Sequence, residues 1–167
     1  MRQILVGLLA GMLAAVAAAD VTVSFKEPEK FSDIKDNTGF NRLEVLKDLE
    51  AQMKKQAERL LPGRDVSITV IDVDLAGEVE PIWRTGQWVR LLRDITVPAI
   101  SLTYEIREQG QVVRQGEMAL RDINYREGFN RYPESDPLRY DRRLIDRGFE
   151  KEFGAAAVAA VPASAGR

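Results

Sequence analysis

The chemistry open to this chain is bounded first by two missing residue types: its 167 residues include no histidine and no cysteine. That removes Ser-His and Cys-His nucleophilic catalysis, thiolate chemistry, and zinc, copper, iron or c-type haem held through imidazole or sulfur. Carboxylates, lysines, tyrosines and hard cations remain. The densest carboxylate group lies in DVSITVIDVDLAGEVEP, Asp65 to Pro81, where Asp72, Asp74, Glu78 and Glu80 fall within nine residues. Oxygen ligands of this kind suit Ca²⁺, the one cofactor the sequence raises. The run lacks the third acidic position and the terminal glutamate of an EF-hand loop. The plainer reading, and the one the pattern favours, is a solvated strand end whose charges keep a sheet edge soluble. Acid pairs also point to glycoside hydrolysis, in which two carboxyls roughly 5–10 Å apart flank the bond, although a sugar cleft normally asks for a larger scaffold. Ser32-Asp33-Ile34-Lys35 fits S-x-x-K. Without the S-D-N and K-T-G runs that accompany that serine-lysine chemistry, it reads as coincidence.

A second set of residues suits binding. Trp83, Arg84, Trp88, Arg90 and Arg93 place both tryptophans of the chain among three arginines. Such side chains dominate binding hot spots, because they bury large areas with little entropy loss and pair with planar acceptors. A ridge of tryptophans would also stack on sugar rings. The structural alternative has Trp88 and Leu91 closing the end of a sheet while the arginines pair with Asp94 and the acidic run. Further on, Arg139, Arg142, Arg143 and Arg147, with Asp141 and Asp146 between them, read as the solvated face of a helix.

The elements that must position these residues follow from periodicity. Val21 to Phe25 alternates as a strand and stops at Lys26-Glu27-Pro28. Asn41 caps a helix that runs to about Leu61, with Glu44 completing a capping box and Phe40 stapling on Val45. Leu46, Leu49, Met53, Ala57 and Leu60 form its buried stripe. In the central stretch, Val66, Ile68 and Val70 alternate with polar residues, and then Ile71, Val73 and Leu75 take over in the opposite phase. A one-residue phase change turns every side chain over, so a bulge is expected near Val70 and Ile71. Ile82 to Pro98 is the least regular internal segment. Ile100 to Ile106 alternates as a strand and turns at Gln109-Gly110 into a partner from Val112 to about Leu120, with Gly116 marking a bulge or close approach. Asp136-Pro137 opens a second helix, whose stripe is Leu138, Ile145, Phe149 and Phe153 and whose C-cap is Gly154.

The ends have their own signatures. Residues 1–19 combine a charged start, an apolar run from Ile4 to Val16 and an Ala-x-Ala ending, the pattern of a signal peptide cut between Ala19 and Asp20. The processed chain of 167 − 19 = 148 residues is expected to be periplasmic, with no transmembrane segment. Residues 20–153 make one domain, and the Ala-rich stretch 154–167 reads as a disordered tail. Net charge is −2, or −2 − 1 = −3 once Arg2 is removed. That balance argues against a nucleic-acid or anionic-membrane binder, because such proteins carry concentrated positive charge.

The pieces VTVSFKEPEKFSD, DVDLAGEVEP, RDITVPAISLTYEI and DPLRYDRRLIDRGFEKEF together resemble a bacterial exported family catalogued as domain of unknown function 3016. The likeness covers roughly Asp20 to Phe153; its most specific runs are Asp72 to Gly77 and Leu138 to Tyr140. It implies a secreted, periplasmic setting and supplies no activity, cofactor or catalytic residue. The expected architecture is an α+β two-layer domain, a mainly antiparallel sheet of about four strands with two helices, in the order strand-helix-strand-strand-strand-helix. The expected function is non-catalytic, an accessory or binding protein of the periplasm or envelope whose partner is an envelope protein or a glycan. The alternative is a small carboxylate-dependent hydrolase acting on an envelope substrate.

Overall fold

Alternating apolar residues build the sheet, and a computed structural model describes residues 20–34 and 41–154 of the chain. Residues 1–19 (read above as a signal peptide), Lys35 and Phe40 in the stretch 35–40, and the residues from 155 onward lie outside the described residues. The elements are β1 (Val21–Phe25), a single 3-10 turn (Pro28–Lys30), α1 (Arg42–Leu60), β2 (Asp65–Asp74), β3 (Glu78–Ile82), β4 (Gln87–Leu91), β5 (Ala99–Glu108), β6 (Gln111–Arg121) and α2 (Arg139–Phe153). Four strands form one sheet in the order β1-β2-β5-β6, and β3 and β4 form a separate two-stranded sheet. The β1–β2 pair is parallel, joined through α1, and the pairs β2–β5 and β5–β6 are antiparallel. The α+β expectation holds, with an extra hairpin where the sequence reads as irregular.

The helices share one face of the main sheet. Leu49, Met53 and Ala57 of α1 and Ile145 and Phe149 of α2 are fully buried against Val66, Ile68, Val70, Ile100, Leu102 and Ile106. Each such large side chain contributes about 1.5–3 kcal/mol of transfer free energy. Asn41 caps α1 by accepting from the Leu43 backbone N–H at 3.0 Å. On the outer side of α1, Lys54 pairs with Glu50 at 2.7 Å, one turn apart. Opposite the helices the sheet presents Ser67, Thr69, Thr103, Glu105, Gln115 and Glu117. This open face is why the strands alternate rather than run apolar throughout.

The bulge lies where the phase change puts it. Val70 pairs with Leu102 and Asp72 with Ser101, so Ile71 is the extra residue, and it stays exposed. Beyond it Val73 and Leu75 turn inward and Asp72 and Asp74 turn out. Gly116 proves to be a close approach. It pairs with Tyr104, and a Cβ there would lie 2.8 Å from the phenolic oxygen. The Tyr104 hydroxyl donates to Glu152 at 2.5 Å, and Arg114 pairs with the same carboxylate.

The second helix departs from expectation. Asp141, Arg143 and Asp146 are buried, not solvated. For Arg143 and Asp146 the reason is that the segment from Asp122 to Leu138 packs over them, whereas Asp141 is covered at Ala76. Arg143 donates to the carbonyls of Tyr125, Glu127 and Phe129 and pairs with Asp122. Asp146 accepts from Gln52 and Gln56 of α1 and from Arg131 and Tyr132 of the wrapping segment. Buried charges persist when each is hydrogen-bonded in this way. The start and end of the helix also differ. Asp136 caps a turn that precedes it, accepting from Leu138 N at 2.9 Å, and Gly154 ends it in extended rather than left-handed backbone. No helix among the described residues is long and apolar enough to cross a membrane.

Candidate functional site

The stretch from Asp65 to Pro81 forms two strands, β2 and β3, broken at Leu75–Gly77. Leu75 and Ala76 tuck into the core, and Gly77 reverses the chain at φ +82°. A Cβ on Gly77 would stand 2.6 Å from the Leu91 carbonyl oxygen, so this corner requires glycine on both steric and conformational grounds. From it rises the β3–β4 hairpin, in register from Glu78↔Leu91 to Ile82↔Gln87. Its tip is Trp83–Gly86, where Thr85 N and Gly86 N both donate to the Ile82 carbonyl. Five extended residues reach about 17 Å. The pairing places Val79 with Arg90 and Pro81 with Trp88 on one face, and Glu78, Glu80 and Ile82 with Leu91, Val89 and Gln87 on the other.

A lone two-stranded ribbon is marginal in water, and this one is held at its root. Arg90 donates to Asp33 Oδ2 at 2.7 Å and to the Gly77 carbonyl at 2.9 Å, with little of either ionic side chain exposed. Asp33 also accepts from Leu75 N at 3.2 Å. Arg93 forms a bidentate pair with Glu80, and Tyr125 OH donates to the Arg93 carbonyl at 2.9 Å. Gly77 N donates to Thr96 O at 3.0 Å. Beneath them Asp141 of α2 accepts from Ala76 N at 2.9 Å. Ser32 donates to Asp72 through both its N–H and its hydroxyl, each at 2.8 Å, which ties the loop after β1 to the same corner.

Electrostatics follow this packing. Burial pushes the Asp141 carboxyl from 3.8 up to about 7, opposed by the Ala76 N–H and by Arg90. Asp74 is also raised, by burial first and then by its neighbours Asp33 and Asp72. The Arg93 guanidinium, hydrogen-bonded to Glu80, holds that carboxyl below its usual range.

The residues singled out in the sequence therefore meet at one corner and divide between two tasks. Asp72 holds Ser32 and Glu80 holds Arg93, while Asp74 and Glu78 stay exposed at the strand ends. Among the described residues no three acids gather in the way a metal ion requires. Arg90 and Arg93 are spent on the root. Trp83, Arg84 and Trp88 are displayed, with Trp83 90% and Trp88 50% exposed. The arrangement offers two indole surfaces and an apical cation on an anchored stalk, with no general acid–base pair beside them.

Sequence reasoning missed Asp33, Asp141, Asp146 and the paired glutamines. A signal existed for Asp141: it lies four residues before Ile145, on the line that continues through Phe149 and Phe153. Nothing local marks Asp33, whose partner Arg90 is 57 residues away.

A family model described as a protein of unknown function (DUF3016) matches residues 19–151. No curated protein and no solved structure matches the chain.

Proposed function

The chain belongs to the DUF3016 family, and on that premise we propose that it is an exported, periplasmic accessory protein that binds a component of the cell envelope without transforming it. The observation that carries the reading is the exposure of Trp83 and Trp88 on a hairpin whose root is fixed by the largely buried Arg90–Asp33 ion pair. Indole surface left in water is costly unless a partner covers it, and hot spots concentrate in such side chains. A fixed root lowers the ordering cost of association. Export rests on the leader-like pattern of residues 1–19. The test is capture of partners from periplasmic and envelope extracts by the wild-type chain and by the Trp83→Ala/Trp88→Ala double variant. Partners lost in the variant support the reading; identical partner sets refute it.

The hydrolase alternative draws on one observation. Glu105 and Glu117 are diagonal neighbours on the open sheet face, beside Ser67, Thr69 and Thr103. Both point into a broad shallow depression rather than flanking a cleft that would exclude water, so binding is the better-supported reading. Turnover of an envelope substrate, abolished by Glu105→Gln or Glu117→Gln, would reverse that order.

A further inference from the structure

We infer that the hairpin tip docks on an anionic phospholipid surface, inserting Trp83 and Trp88 at the level of the headgroups. The inference rests on the reading of the hairpin as the binding element and narrows its partner to lipid.

The most exposed indole surface of the ribbon is at its tip, although Leu91 and Leu92 are also part-exposed at the root. At the far end Ile82, Trp83 and Trp88 are exposed, and Pro81 and Arg84 are exposed with them. At the root lie the Arg90–Asp33 and Arg93–Glu80 pairs. A protein partner of ordinary kind covers one face of a ribbon. A planar interface met end-on covers the tip and leaves the root in water.

Charge follows the same axis. PIWRTGQWVRLLR, residues 81–93, holds three arginines and no acid, in a chain with 26 acidic residues. With Arg90 and Arg93 engaged at the root, Arg84 is the cation at the apex, suited to phosphate oxygens. The overall net charge of −2 rules out long-range attraction as the driving force, which leaves short-range insertion. Tryptophan favours that zone because its ring is apolar and its N–H still finds an acceptor there.

The dimensions agree. Apolar groups of interfacial elements sink about 5–10 Å into the headgroup boundary. Trp88 pairs with Pro81, one step back from the terminal pair Ile82↔Gln87, so both indoles fall within that depth while Arg90 stays above it. The hairpin shares no ladder with the main sheet.

Both tryptophans of the chain are on the hairpin, so tryptophan emission, excited selectively over the four tyrosines, reports on this element alone. The processed chain, residues 20–167, is titrated with phosphatidylcholine vesicles, with vesicles containing phosphatidylglycerol, and with soluble peptidoglycan fragments. The expected result is a shift of emission to shorter wavelength with phosphatidylglycerol vesicles, together with quenching by lipids brominated near the carbonyl. Arg84→Glu weakens that response, and Trp83→Ala, read through Trp88, lowers partitioning by roughly tenfold. An unshifted spectrum with both kinds of vesicle overturns the lipid inference. If peptidoglycan fragments shift it, or partner capture still depends on the tryptophans, the binding reading survives with a glycan or protein in place of lipid. If neither occurs, both fall.

Discussion

Replacing Asp141 by asparagine removes a buried titrating group while keeping its shape, and the consequence can be worked from the structure. The carboxyl is 1% exposed and accepts from Ala76 N, with Arg90 and Asp33 as the charged groups facing it. Its pKa is raised from 3.8 to about 7, so the folded state keeps the proton over about three pH units in which the unfolded chain has lost it. Stability therefore falls as pH rises through that window; the contribution is fully present near pH 4 and lost above pH 7. At about 1.36 kcal/mol per unit, the ceiling is about 4 kcal/mol. The amide of Asp141→Asn would accept the same N–H and would not titrate. Urea unfolding of both proteins from pH 4 to pH 8 isolates the effect, because the other groups are common to both. The expected result is that the wild type loses stability relative to Asp141→Asn across the window, leaving the variant the more stable at pH 8. A difference independent of pH, or one growing in the opposite sense, would refute the burial of this carboxyl under the hairpin root.

Three more outcomes follow from the same corner. Arg90→Ala strands Asp33 in a largely buried place, which costs about 3 kcal/mol by analogy with other broken buried pairs; amide exchange should quicken first in residues 78–91. Gly77→Ala forces a side chain onto a positive φ and against the Leu91 carbonyl. A loss of about 1–3 kcal/mol in denaturant unfolding is expected there. Because Asp72 and Glu80 are engaged elsewhere and no three acids gather among the described residues, millimolar Ca²⁺ or a chelator should leave the melting temperature unmoved. A calcium-dependent rise would restore the acidic run as a metal site.

Much of the scaffold was legible because its strands obey a simple period. The slip between Val70 and Ile71 announced the bulge and the outward turn of Asp72 and Asp74. The stripe of α1 and the Gln109-Gly110 turn were equally plain. The hairpin was hidden because Pro81 interrupts its first strand and Trp88-Val89-Arg90-Leu91 does not alternate in polarity. The buried charges of α2 were hidden for a different reason. Arg143 and Asp146 look like surface residues until the 122–138 segment folds over them, and no local pattern encodes that contact. The site is legible in composition, as tryptophans among arginines beside acids. Its division into root and tip is not, because it depends on Asp33, 57 positions before Arg90.

A photoreactive amino acid at position 84, compared with one at position 117 on the open sheet face, tests the central claim most directly. After irradiation with envelope fractions, adducts from the hairpin tip and none from the sheet are the expected result. Equal labelling at the two positions, or labelling from the sheet alone, would contradict the assignment of binding to Trp83, Arg84 and Trp88.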